Sequence, residues 1–265
     1  MIMITAIDTH CHIHYGAKET LVYNSLSNLM QESNFYSAYP DILQQISECA
    51  HITKVFASPF DGVFDRLRVE QANEDMAKIV AVNDFLYQWV IVDPRNDSTF
   101  AQAERMLKNE KCVGIKLHPV CHNYSLEECG DKIFSFADAH ATVVQIHPEK
   151  GKGAAGIIPF ANQYTKTRFI MAHLGDEAHI EAVKKAKYGN VYVDTSGMAS
   201  LKNMLIEYAV SQIGSERILF GTDTYSAAAQ RGRIEFSMIS KRDKENILFN
   251  NAKELFGLSN ETVKC

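Results

Sequence analysis

The chain has 265 residues, 46% of them hydrophobic and 22% charged, the make-up of one globular domain with a large core. A formal net charge of −5, with no long Lys/Arg cluster, argues against nucleic acid or an anionic membrane surface as the main partner. No apolar run approaches the ~20 residues of a membrane span, no signal peptide is evident, and six cysteines without a CxxC pair read as reduced thiols of a cytoplasmic protein.

Ile2–His10 reads as the first strand. A helix over Ser37–Ala50 leads into a second strand, Ile52–Ser58. Glu70–Phe85 steps through Ala72, Met76, Ile79, Val80 and Asn83 at helical spacing and precedes the strand Tyr87–Asp93. Ser98 is the expected N-cap of a helix over Ser98–Asn109. Strand Cys112–His118, helix Asp131–His140, strand Ala141–His147, helix Gly156–Tyr164 and strand Thr167–His173 follow. Helix Glu177–Tyr188, strand Asn190–Ser196, helix Ala199–Ile213 and strand Arg217–Asp223 complete the alternation. A last helix, Lys241–Phe256, ends at Gly257, a good C′ residue.

Runs such as Trp89-Val90-Ile91-Val92 and Thr142-Val143-Val144 are apolar throughout, as in parallel strands covered on both faces. Eight β/α units in a chain near the ~250 residues typical of such folds predict a single-domain (β/α)₈ TIM barrel over 1–265. Two longer segments, Ile13–Tyr36 and Pro119–Gly130, leave C-terminal strand ends. They are the expected walls or lids of a pocket, because barrels of this type carry their sites on that face.

The stretch Asp8-Thr9-His10-Cys11-His12 carries the most chemistry. Histidines at i and i+2 of a strand share a face, and neutral imidazole ligates divalent ions. Taken alone, the pair reads equally as two polar loop residues. The other strand ends change that reading. They carry Lys116 and His118, then His147, His173 and Asp223, so five of the ten histidines fall at strand tips. A barrel gathers these positions around one mouth, where three imidazoles and a carboxylate can hold a divalent ion with a position left open. Cys11 lies between His10 and His12 but points to the opposite face and reads as packing.

The HxH pair, the ordered His, His and Asp on later strands, the motifs IHPEKG, MAHLGD, VDTSG and LFGTD, and the tail Glu245-Asn246-Ile247-Leu248 through Phe256 resemble the amidohydrolase-2 branch of the amidohydrolase superfamily. That branch holds metal-dependent hydrolases, lactonases and decarboxylases on TIM barrels. The resemblance implies that His10, His12, His147 and Asp223 hold the metal and that Asp223 also takes a proton from water. It implies that His173 is an acid/base, or a ligand of a second ion together with Lys116. Zn²⁺ is the first expectation, with Mn²⁺ or Fe²⁺ as alternatives. A small-molecule substrate is implied, and a homodimer is allowed.

Lys116 has three open readings: a carbamylated bridge between two ions, an ammonium for a substrate carboxylate, or an outward side chain. His118 is a pocket residue or a loop histidine. Arg95, His122 and Tyr124 are candidate substrate contacts, with Arg95 able to clamp a carboxylate. His14 lies beyond the first strand. His51, His140 and His179 read as structural. Glu149 and Lys150 could line the rim, and Asp194 and Ser196 are expected to orient neighbours by hydrogen bonds. The expected activity is hydrolysis of a small polar, carboxylate-bearing substrate at an amide, ester or lactone bond. Decarboxylation on the same scaffold is the alternative, and a noncatalytic binding protein the third.

Overall fold

Apolar runs that need cover on both faces find it here by curling into a cylinder wrapped in helices. The computed structural model describes residues 3–13 and 39–258. Its strands are β1 (Ala6–Ile13), β2 (Ile52–Pro59), β3 (Leu86–Ile91), β4 (Cys112–Leu117), β5 (Val143–Ile146), β6 (Arg168–Met171), β7 (Val191–Asp194) and β8 (Ile218–Leu219). They form one sheet in sequence order, and the pairings from β1 through β8 are all parallel. The seam between the tip of β8 and β1 is closed by Thr9 N donating to Phe220 O at 2.9 Å and Asp223 N to His10 O at 2.7 Å. The expected eight-fold β/α barrel is therefore the observed one.

Inside the barrel Ile7, Phe56, Trp89, Val143, Ile170 and Leu219 pack together, with Phe249 and Phe256 against them. The fully buried Trp89 donates its indole N–H to Thr9 O at 2.9 Å, which satisfies its one polar atom. This packing fills the barrel's interior beneath the C-terminal mouth. A second, larger layer lies between the strands and the surrounding helices.

Several boundaries differ from the sequence expectation. β1 begins at Ala6 and runs to Ile13, so both His10 and His12 lie within the strand. The extension is paid out against β2, where His12 pairs with Ser58 and Ile13 with Pro59. β8 shrinks to Ile218–Leu219 because the chain turns left-handed at Asp223 and Thr224, with φ of 56° and 65°. Asn96, not Ser98, caps the helix Asp97–Met106, accepting from Ser98 N. The final helical segment is broken by a π-helical turn at Asn246–Asn250, whose Ile247 carbonyl accepts from Phe220 N beside β8.

Two short helices, Phe60–Phe64 and Ala227–Glu235, were not expected. Pro119–Gly130 folds into a helical turn, Pro119–His122, and the start of the helix Leu126–Ala139. Most of the expected lid Ile13–Tyr36, together with His14, lies outside the described residues.

Candidate metal centre

β1 carries His10 and His12 to the mouth on one face, and the turn after β8 brings Asp223 between them. Asp223 Oδ1 lies 3.0 Å from His12 Nε2 and 3.5 Å from His10 Nε2. Among the described residues these three form one of two groups whose ligand-type atoms all lie within 4.8 Å of one another. The far nitrogens are anchored. His10 Nδ1 donates to Asp194 Oδ2 at 2.9 Å, and His12 Nδ1 lies 2.9 Å from Ser58 Oγ. Lys116 Nζ approaches His10 Nε2 at 2.9 Å, and an ammonium can only donate, so that nitrogen keeps its lone pair. Outer partners of this kind set the tautomer of a ligating histidine. Two anchored imidazoles and a carboxylate suit a divalent cation such as zinc or manganese.

The electrostatics agree. Burial, with Lys116 adding to it, pushes His10 down to about 3 despite Asp194 and Asp223, so the ring is neutral as a ligand must be. Burial alone would raise Asp223, but the hydrogen bond from His12 and the electrostatic pull of the surrounding imidazoles outweigh it. Its carboxyl is held well below the usual range. Asp8 ties the centre to the barrel seam, accepting from His10 N at 3.1 Å, Thr222 N at 3.0 Å and Thr222 Oγ1 at 2.6 Å.

A cavity of about 250 Å³ opens over this cluster, lined by His10, His12, Lys116, His118, His147, His173 and Asp223 and walled by Phe60, Val63, Phe64 and Tyr225. His147 reaches the cavity but belongs to neither tight group. Its Nδ1 donates to Pro148 O at 2.9 Å, which leaves Nε2 as the atom free to ligate. His147 is pushed down to about 4 by burial and by the charge of His173. His118 stacks on His147 with ring centroids 4.1 Å apart, and its Nδ1 accepts from Cys121 N. Lys116 points inward and is fully buried, bonded also to Gln145 Oε1 at 2.9 Å, so the outward reading falls away. Burial lowers it to about 8.

The cavity does not include three expected substrate contacts. Arg95 folds back on Asp93, with Nε to Oδ1 at 3.1 Å, and donates to the carbonyls of His122 and Asn123. His122 is buried with Nε2 donating to Gly62 O at 2.9 Å, and buried Tyr124 packs beneath the Arg95 guanidinium. Arg95 and His122 Nε2 brace the loops after β3 and β4 through partners within the protein, whereas His122 Nδ1 and the Tyr124 hydroxyl are buried without a hydrogen-bond partner among the described residues. Glu149 is likewise buried and accepts from Leu126 N, and Lys150 is exposed. His179 is structural as expected, its Nε2 donating to Ala172 O beside His173.

Sequence reasoning missed Ser58, Phe60, Gln145 and Tyr225. Gln145 sits two residues before His147, so the same-face rule that joined His10 to His12 would have found it. Phe60 stacks on His12 with centroids 4.8 Å apart, and the five-residue helix that carries it leaves no periodic signal.

Residues 7–258 match the family model for amidohydrolases. No curated protein sequence matches the chain. Its fold is similar to that of a 2,6-dihydroxybenzoate decarboxylase from Rhizobium, with a TM-score of 0.75, 15% identity, and coverage of 97% of this chain and 99% of that one. A dihydroxybenzoic acid decarboxylase from Polaromonas, solved with bound manganese and 2-nitroresorcinol, gives a TM-score of 0.71 at 17% identity, covering 97% and 98%. A probable 2-pyrone-4,6-dicarboxylic acid hydrolase from Acinetobacter baumannii gives 0.65 at 18% identity, covering 96% and 100%. At these identities the likeness is one of fold.

Proposed function

The chain belongs to the amidohydrolase family, and from that premise we propose that it hydrolyses a small carboxylate-bearing substrate at an amide, ester or lactone bond, using one divalent ion. His10, His12, His147 and Asp223 would hold the ion, zinc first, with manganese or iron fitting the same donors. The observation that carries the reading is the placement of Asp223. Its Oδ1 meets the two β1 imidazoles while its Oδ2 faces His173 at 3.9 Å.

When bound, the ion would supply Lewis acidity to polarise a carbonyl and acidify water. Asp223, ionised at neutral pH, accepts the proton of the attacking water. His173, next to Asp223, takes up that proton and passes it to the leaving atom. Among the described residues Lys116 is the one buried cation on the cavity wall, and it pairs with the substrate carboxylate.

A second reading, decarboxylation, draws on the aromatic wall. Phe60 lies against His12 and Phe64 stacks on Phe60 at an interplanar angle of 12°, a flat surface suited to an unsaturated or aromatic acid. One experiment separates the readings. Metal-loaded protein is incubated in ¹⁸O-water with lactones, N-acyl amino acids and unsaturated acids. Incorporation of ¹⁸O into product supports hydrolysis, and CO₂ release moves the assignment to the lyase. Turnover confined to neutral or cationic substrates overturns the role of Lys116. Pure protein that neither contains nor responds to a transition metal overturns both readings.

A further inference from the structure

The second tight group of ligand-type atoms is His10, His173 and Asp194, and its two histidines line the cavity. We propose that this group is not a second metal site: the Ser196 hydroxyl occupies its centre, and there it holds His173 in the tautomer that presents Nε2 to the cavity.

Ser196 Oγ lies 2.9 Å from His10 Nδ1, 2.9 Å from His173 Nδ1 and 2.5 Å from Asp194 Oδ1. Each of the three side chains that would ligate a second ion is already bonded to this one oxygen. The proton inventory then follows. Asp194 accepts from His173 N, Ser196 N and His10 Nδ1, so the single Ser196 proton points at Asp194 Oδ1. The remaining lone pairs of Oγ must accept. His173 Nδ1 has Ser196 Oγ at 2.9 Å and Ser196 O at 3.4 Å as its neighbours, both acceptors, so Nδ1 carries the hydrogen. Its Nε2 is thereby left with an open lone pair on a side chain that lines the cavity.

The backbone leaves room for this arrangement and for little else. A Cβ on Gly197 would lie 2.8 Å from His173 Nδ1, and a Cβ on Gly221 would lie 3.0 Å from Ser196 Cβ and 2.9 Å from His10 Cβ. Gly197 also has φ of 72°, which other residues rarely adopt. Asp194 itself receives His173 N at 3.0 Å, so the same carboxylate fixes the backbone and, through Ser196, the ring. Ser196 is thus a positioning residue. It keeps His173 Nε2 open to take up the proton that His173 then delivers in the reaction proposed above, and the inference rests on that assignment only where turnover is read.

The test uses full-length, zinc-loaded protein with ¹⁵N-labelled histidine. Long-range ¹H–¹⁵N spectra of the wild type should show His173 as a single Nδ1–H tautomer, and elemental analysis should give one zinc per chain, even with excess zinc. A wild-type His173 in the Nε2–H form, or two tightly held ions per chain, overturns the proposal without any variant. In Ser196→Ala the His173 pattern should become a mixture of tautomers while His10, still bonded to Asp194, keeps Nδ1–H. On whichever substrate the screen above identifies, kcat should fall about 10- to 100-fold with KM nearly unchanged, the usual size of an outer-partner loss. A folded Ser196→Ala protein with an unchanged His173 spectrum also overturns it. Failure of the proposed hydrolysis would leave the spectral and stoichiometric results standing.

Discussion

Asp194→Asn should weaken zinc binding without removing a ligand. Asp194 is fully buried, and its two oxygens are unequally loaded. Oδ1 accepts from His173 N, Ser196 N and Ser196 Oγ, whereas Oδ2 accepts from His10 Nδ1 alone. The asparagine oxygen therefore stays on the Oδ1 side, where three donors need it, and its NH₂ turns toward His10. Two donors then face each other. His10 resolves the conflict by moving its proton to Nε2, the atom that points at the metal cluster, with Lys116, which burial lowers to about 8, giving up a proton so that its amine accepts there. To ligate, it must return to the Nδ1–H form and leave two buried donors opposed, at a cost of about 1–3 kcal/mol. That corresponds to roughly 5- to 150-fold in zinc dissociation constant. Competition with a chromophoric chelator measures the constant directly, and thermal unfolding of the metal-free variant reports the separate cost to the fold. A folded Asp194→Asn protein that binds zinc as tightly as the wild type would refute the assignment of His10 Nε2 as a ligand atom held ready by Asp194.

Three further outcomes are expected. Asp223→Asn keeps a metal-facing oxygen but cannot take up a proton as a carboxylate does, so turnover should drop by about 10²–10⁴, while zinc content falls less than in His10→Ala; full activity in the zinc-loaded variant would remove Asp223 as base. Burial holds Lys116 at about 8 in the folded, metal-free protein against its ordinary value of 10.5. Between those values the unfolded chain binds the extra proton, so this lysine makes stability rise with pH across that window, and Lys116→Met should flatten the rise in urea titrations compared with wild type; parallel curves would count against it. Iodoacetamide should modify the exposed Cys49 before half-buried Cys112, whose thiol burial raises to about 11, and before buried Cys11; peptide mass mapping that finds Cys11 or Cys112 labelled first would contradict the packing described.

Strand identity was legible because the β runs are apolar throughout, and the site was legible because side chains two apart share a face. Both rules held for His10 with His12 and brought Lys116 inward with His118 beside it. Arg95 shows where such reasoning stops. Its charge invites a role at the mouth, but Asp93, two residues earlier, captures it in a local hydrogen-bonded turn. The shortness of β8 was hidden for a different reason. The left-handed turn that ends it is made by Asp223 and Thr224 rather than by glycine, so no sequence signal marks it. Gly197 was visible as a residue, but the closeness of His173 that requires it is a tertiary fact.

Those left-handed turns bear on how this protein can change. His173, Asp223 and Thr224 have φ of 64°, 56° and 65°, a conformation that costs an ordinary residue roughly 1–2 kcal/mol. Thr224 is β-branched, which makes it the least comfortable of the three. Yet its hydroxyl accepts from His12 N at 2.9 Å and so steadies the strand end that carries the centre. A selection for heat resistance alone would favour glycine at these positions and would drift toward a sturdier, inert barrel. Variants recovered for thermostability should therefore be sorted by whether they touch these three positions before any are kept as improved enzymes.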